Sequence, residues 1–104
     1  MYDYIYYALA YKKDNKLMEP FLIEVRNKKE STPFSHPGEE FNYLLKGRAE
    51  MYIDGKTYRM EEGDSIYFDS SLPHYARSIS DKNAFFLLVN TAEKESPKFT
   101  EEEE

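Results

Sequence analysis

The chain has 104 residues, 20 acidic and 14 basic side chains, a formal charge of −6, and neither cysteine nor tryptophan. That length suits one domain with enough chain to close one hydrophobic core. The absence of cysteine excludes a disulfide scaffold and a thiolate zinc site. The charge is uneven, because residues 91–104 hold six acids against two lysines. A near-neutral body with an acidic tail argues against nucleic-acid binding through bulk electrostatics. No apolar run approaches the ~18 residues of a membrane span, and no signal-peptide pattern opens the chain. The expectation is a soluble, cytoplasmic single domain with no membrane partner.

Ten tyrosines and seven phenylalanines favour strands. In chain order, Tyr4–Tyr11 is aromatic and apolar and breaks at the lysine-rich turn Lys12–Lys16. Met18–Val25 follows, then the polar stretch Arg26–Thr32. Glu39–Lys46 alternates, with Phe41, Tyr43 and Leu45 on one face and Glu40, Asn42 and Leu44 on the other. Arg48–Ile53 alternates again, and Asp54-Gly55 is a two-residue hairpin signal. Lys56–Met60, Ser65–Phe68, Tyr75–Ile79 and Ala84–Val89 complete the set. No stretch of 1–90 carries a capped helical period. Short strands between turn signals read as an all-β sandwich or barrel of about eight to ten strands.

The four glycines, Gly38, Gly47, Gly55 and Gly63, lie nine, eight and eight residues apart. Glycine used only as regular punctuation suggests consecutive antiparallel hairpins. Residues 1–90 are therefore read as the barrel and 91–104 as an acidic, solvated, disordered tail ending in the like-charge run Glu101–Glu104. The phases place Leu44, Leu45, Met51, Ile53, Ile66, Phe68, Phe86 and Leu88 in the core.

The chain has two histidines, His36 and His74, each just ahead of a strand. Counted in strand phase from His36, Glu40 accompanies it on the inward face. A carboxylate turned into a barrel is costly to desolvate unless a donor or cation meets it. A divalent metal held by two imidazoles and one carboxylate would satisfy it. The residues alone favour a second reading, in which both histidines are ordinary turn residues beside prolines.

The string His36-Pro37-Gly38-Glu39-Glu40-Phe41-Asn42-Tyr43-Leu44-Leu45-Lys46-Gly47, with Gly63-Asp64-Ser65-Ile66-Tyr67-Phe68-Asp69-Ser70-Ser71-Leu72-Pro73-His74 after it, resembles a small single-domain cupin. The resemblance covers roughly residues 18–90. His36, Glu40 and Gly47 match the first cupin motif from its second histidine onward, and Gly63 and His74 match the second motif. The resemblance implies a double-stranded β-helix of jelly-roll type, and a metal set of His36, Glu40 and His74 able to hold iron, manganese, nickel or zinc. Three departures stand out. Phe34 occupies the first-histidine position, Asn42 stands where the family places an apolar inward residue, and Ser78 takes the place of a trailing asparagine. Asp69 and Ser71 replace a proline and a glycine. Phe34, Asn42 and Ser78 are the expected ligand-pocket residues. Loss of one ligand leaves two outcomes, a three-ligand metal site with open positions or a metal-free pocket for an organic ligand.

The opening, Tyr7–Lys13 with Met18–Leu22, resembles the start of the cupin half of helix-turn-helix–cupin regulators. That likeness implies a role in transcription regulation through effector sensing, with no direct nucleic-acid contact by this barrel. Tyrosines 2, 4, 6, 7 and 11 crowd both faces of the first strand, which suggests a homodimer interface. Asn42 reads either as an amide that orients a ligand or as one satisfied by a neighbouring strand. No nucleophile elbow, phosphate loop or dinucleotide fingerprint appears. The leading expectation is a small-molecule-binding or sensory module. The alternative is a small metalloenzyme of dioxygenase, isomerase or decarboxylase type, and a third is a structural protein without cavity chemistry.

Overall fold

A computed structural model describes residues 4–28 and 31–92. It has eight strands among the described residues: β1 (Tyr4–Ala8), β2 (Met18–Val25), β3 (Glu39–Lys46), β4 (Ala49–Ile53), β5 (Lys56–Met60), β6 (Ser65–Asp69), β7 (His74–Ser78) and β8 (Ala84–Thr91). They form a five-stranded sheet, β1-β2-β8-β3-β6, and a three-stranded sheet, β5-β4-β7, with every pairing antiparallel. None of the described residues forms a helix long and apolar enough to cross a membrane.

The alternation seen in the sequence sets which side chains meet between the sheets. Ile23, Val25, Leu44, Ala84, Phe86 and Leu88 from the larger sheet pack with Ala49, Met51, Ile53 and Met60 from the smaller. Asp54 and Gly55 both have positive φ, 49° and 85°. That is the backbone a two-residue turn needs to match strand twist, and it sets the register Ile53↔Lys56.

One core expectation is corrected. Ile66 and Phe68 pack partly buried against the core, but Leu45 is 47% exposed. The pairing between β3 and β8 shifts between Leu44 and Lys46. Leu45 is the extra residue there and lies opposite in phase to Leu44, on the outer face where no second layer covers it. The barrel also runs past residue 90. Thr91 closes β8, and its hydroxyl accepts from the Glu39 amide at 3.1 Å. Gly38 makes this closure possible. It has φ 103°, and a Cβ there would overlap the Thr91 hydroxyl. The tail expected to be disordered lies, from residue 93 on, outside the described residues.

The two outer faces differ. On the small sheet Glu50 and Arg77 form an ion pair at 2.8 Å, and Tyr52 stacks on Tyr75 at 4.8 Å. On the large sheet the register aligns apolar rows, Tyr7-Leu22-Leu87-Tyr43 and Pro20-Val89-Phe41-Tyr67. Charges flank these rows: Glu24 accepts from the Tyr7 hydroxyl (3.2 Å) and the Asn83 amide (2.6 Å), and Glu39 pairs with Asp69 beyond the second row.

These phases make opposite forecasts for adjacent leucines. Leu44→Ala should cost about 2–5 kcal/mol, whereas Leu45→Ala should change stability by about 0.5 kcal/mol or less. Urea titrations of both variants check this, and equal losses would reject the assigned faces.

Candidate metal centre

Alternation along β3 turns Glu40, Asn42 and Leu44 inward, and all three are buried. His74 opens β7, paired through β4 as Ile53↔His74, and is 1% exposed. The remaining imidazole comes from a segment outside the named strands. Phe34 and His74 exchange backbone hydrogen bonds, Phe34 N to His74 O at 3.1 Å and His74 N to Phe34 O at 3.0 Å. The His36 amide donates to the Ser70 carbonyl, and the Ser70 amide donates to the Gly38 carbonyl, both at 2.9 Å. These bonds lay residues 34–38 along the β6–β7 connection, so His36 reaches the cavity even though β3 begins only at Glu39.

The three side chains converge. His36 Nε2 and His74 Nε2 lie 3.1 and 3.2 Å from Glu40 Oε1. One donor atom from each residue lies within 4.8 Å of the others, a set that could hold a metal ion. The second oxygen, Glu40 Oε2, accepts from Asn42 Nδ2 at 2.7 Å. Asn42 therefore orients the carboxylate, a role neither sequence reading gave it. Two residues apart on one strand, the pair shares a face.

His74 Nδ1 sits 2.7 Å from the Leu72 carbonyl. A carbonyl only accepts, so Nδ1 carries the proton, and neutral imidazole then presents a lone pair at Nε2. That nitrogen is buried with no hydrogen-bond partner, although Glu40 Oε1 faces it. A lone pair opposite a carboxylate is repulsive unless a positive charge stands between them. The chain can supply that charge by protonating Nε2, and a divalent cation can supply it from outside. The donors present therefore fit a divalent metal with nitrogen and oxygen preference.

The titration of the site follows from these contacts. Burial pushes the Glu40 carboxyl up, but His74, Asn42 and His36 together pull it below its ordinary value. Burial pushes His74 down, but the Glu40 carboxylate and the Leu72 carbonyl raise it overall. Tyr6, which also lines the cavity, is raised by burial and by the Glu40 charge.

The cavity measures about 130 Å³. An apolar cavity of roughly 150 Å³ is enough to take up benzene. Phe34 is at its wall, as expected, its ring centroid 4.8 Å from that of His74 and 6.0 Å from that of Tyr4. It brings no donor to the position that the cupin resemblance reserves for a further histidine. Ser78 does not line the cavity. It shares the inward phase of β7 with His74, but it stands at the far end of the strand, paired with Ala49. Its hydroxyl is spent on the Lys82 carbonyl at 2.5 Å. Phase alone could not show that the barrel is already filled there.

Tyr4, Tyr6 and Asn90 are among the wall residues that had no place in the sequence reading of the site. Tyr4 and Tyr6 were assigned to a dimer interface, but both line the cavity. The Tyr4 hydroxyl donates to the Ala76 carbonyl at 2.9 Å and accepts from the Ala76 amide at 2.7 Å. The available signal was their shared phase, opposite to Ile5 and Tyr7. Asn90 also lines the cavity, directly across from Glu40 in the β3–β8 ladder.

A two-sheet antiparallel barrel that turns two imidazoles and one carboxylate into a single cavity is the architecture of the cupin class. A model of the cupin domain matches residues 21–90, and the chain belongs to the cupin family. An uncharacterized protein of Methanocaldococcus jannaschii is 33% identical over 46 residues, which is 44% of this chain and 37% of that protein. The match thus spans little more than a third of that relative's length. Among solved structures, the cupin domain of an XRE family transcriptional regulator from Enterobacter cloacae is 19% identical with a TM-score of 0.77, over 89% of this chain and 100% of that one. Hydroxypropylphosphonic acid epoxidase from S. wedmorenis is 23% identical with a TM-score of 0.75, over 85% of this chain and 50% of that one. An Fe(II) form of HppE matches with the same figures. At these identities the likeness carries the fold.

The shifted pair gives the metal-free chain a two-sided pH profile. Glu40, held below its ordinary 4.5, contributes stability above that pH and loses it as pH falls through the lower folded value. His74, held above 6.5, contributes stability below that pH and loses it as pH rises through the raised folded value. Melting temperatures in EDTA should therefore peak between about pH 4.5 and 6.5, and Glu40→Gln should flatten both flanks. An unchanged profile in the variant would reject the coupling.

Proposed function

We propose that this cupin barrel is a small-molecule-binding or sensory module that holds one divalent metal, iron, manganese, nickel or zinc, through His36, Glu40 and His74. The observation that carries this reading is the convergence of His36 Nε2 and His74 Nε2 on one buried carboxylate oxygen, Glu40 Oε1, at 3.1 and 3.2 Å. Three protein donors leave open positions on such an ion, which would supply a Lewis-acidic point of attachment for a ligand. The chain's own residues prepare it. The Leu72 carbonyl fixes the His74 tautomer, Asn42 holds one oxygen of Glu40, and Phe34 closes the wall with an apolar ring.

The sensory role is supported by the shape shared with a regulator's cupin domain, and on this reading the module acts in transcription regulation through its ligand state. A second reading, a small metalloenzyme of dioxygenase, isomerase or decarboxylase type, is favoured by the donor set itself. Two histidines and one carboxylate suit non-haem iron, and HppE with Fe(II) shares the fold. The two readings separate by turnover: a sensor binds its ligand unchanged, whereas an enzyme consumes it.

Isothermal titration of the EDTA-treated chain with Zn²⁺, Mn²⁺, Ni²⁺ and anaerobic Fe²⁺ tests the metal. One equivalent should bind, more weakly as pH drops through the range where His74 protonates, because imidazole must be neutral to coordinate. Asn42→Ala should lower affinity about 10- to 100-fold, as loss of a ligand's hydrogen-bond support does. Phe34→His should tighten binding by restoring a fourth donor. No uptake by wild type or by Phe34→His would leave only the organic-ligand reading.

The homodimer expected from the tyrosines moves to another surface on this reading, because Tyr4 and Tyr6 face the cavity. The outer face of the large sheet offers aligned apolar rows, with its charges, Glu24 and the pair Glu39 and Asp69, at the margins. Such a face gains most from a second copy of itself about a two-fold axis, which lays aromatic and aliphatic rows against their own kind. Sedimentation should show a dimer that Leu87→Glu converts to monomer, while Tyr6→Ser leaves it intact. A wild-type monomer at high concentration would overturn this assignment.

A further inference from the structure

Asn90 is the one cavity-lining side chain that presents an enclosed polar atom without a task in the cluster of His36, Glu40 and His74. Its Oδ1 is buried and has no hydrogen-bond partner. It stands on the inward face of β8 with Phe86 and Leu88, paired directly with Glu40. Leaving an amide oxygen dry and unpaired is costly, so a polar group that enters the cavity beside Glu40 and engages the Asn90 amide relieves that cost. Asn42 spends its amide nitrogen on Glu40, and the Tyr4 hydroxyl is committed to Ala76.

The rest of the wall defines what that group is attached to. Phe34, Tyr6, Ile23, Val25 and Leu88 are aromatic or aliphatic, and no lysine or arginine among the described residues lines the space. An anionic body would meet no lysine or arginine and would lie near the Glu40 charge. The volume of about 130 Å³ suits a molecule of about one ring.

We infer that the cavity selects an uncharged, ring-sized molecule bearing a hydroxyl, and that Asn90 is the residue that reads the hydroxyl. A hydroxyl both donates and accepts, so it serves the amide in either orientation. This inference deepens the small-molecule reading above by naming the ligand class, and it stands on the cavity wall rather than on metal uptake.

The test titrates the full-length chain, EDTA-treated and again with one equivalent of Zn²⁺, with three probes followed by NMR: benzyl alcohol, toluene and benzoate. In the EDTA-treated chain, benzyl alcohol should bind about five-fold or more tighter than toluene, the advantage of one buried hydrogen bond, and benzoate should bind most weakly. Asn90→Leu should erase the preference for the alcohol while still binding toluene. Retention of one Zn²⁺ by Asn90→Leu, measured by the same calorimetry, keeps this result separate from the metal reading. Equal binding of benzyl alcohol and toluene by wild type would mean that water alone serves Asn90, and the proposal falls. It falls equally if benzoate outcompetes the alcohol in the EDTA-treated chain, or if no probe binds. Because the alcohol and toluene are compared on wild type, the proposal stays exposed even where the variant fails to fold.

Discussion

The Glu40 carboxylate, 3% exposed between two imidazoles, is the constraint around which this barrel is arranged. A carboxylate removed from water is tolerated only where partners replace its hydration. Here one oxygen takes an amide from its own strand, and the other faces two ring nitrogens. Strand alternation brings Asn42 there at no extra cost, because it shares the face of Glu40. The imidazoles require more of the chain. One comes from the first residue of β7 in the opposite sheet. The other comes from a segment that belongs to neither sheet and is held by backbone bonds to Ser70 and His74. The carboxylate therefore draws on both layers of the fold and on the connection between them.

The placement of His74 shows how far backbone geometry determines the chemistry. Its bridge to Phe34 positions the ring, and the Leu72 carbonyl two residues earlier fixes which nitrogen bears the proton. The nitrogen left over points at Glu40. In the metal-free chain the pair can relieve this only by taking a proton, which is why burial fails to lower His74 as it would an isolated histidine. A cation between the two would supply the same positive charge, so the three residues that form the ion pair are also the set that could hold a metal.

Much of this was legible in the sequence because it rests on periodicity. The inward phase of Glu40, Asn42 and Leu44 needs only strict alternation, and the Asp54-Gly55 turn needs only two residues that accept positive φ. What failed were inferences that depend on what lies across the barrel. Leu45 is apolar yet exposed, because a bulge and an uncovered face cannot be seen from one strand. Ser78 has the right phase but sits where Ala49 and Ala84 already close the interior. Tyr4 and Tyr6 looked like contact surface for a partner, although their phase turns them onto Val25 and Ile23, their register partners. His36 was found for a partly wrong reason. Gly38, at φ 103°, interrupts the strand assumed to carry it, and backbone bonds to the β6–β7 connection bring it back.

Phe34 bears on both the donor set and the cavity wall. Where the cupin resemblance places a histidine, this chain places an aromatic ring 4.8 Å from His74 and 6.0 Å from Tyr4. The backbone bridge to His74 is indifferent to the side chain at 34, so the substitution leaves the other three donors in position. Its consequences fall on the cavity. Relative to the resemblance one donor is absent, and an apolar ring stands beside His74 in its place. With no lysine or arginine among the described residues lining that wall, the proposed binding would draw on contact area and on the few polar atoms left unpaired. Three donors beside an apolar ring are the combination that the proposed binding module needs, because the donors and the ring face one cavity.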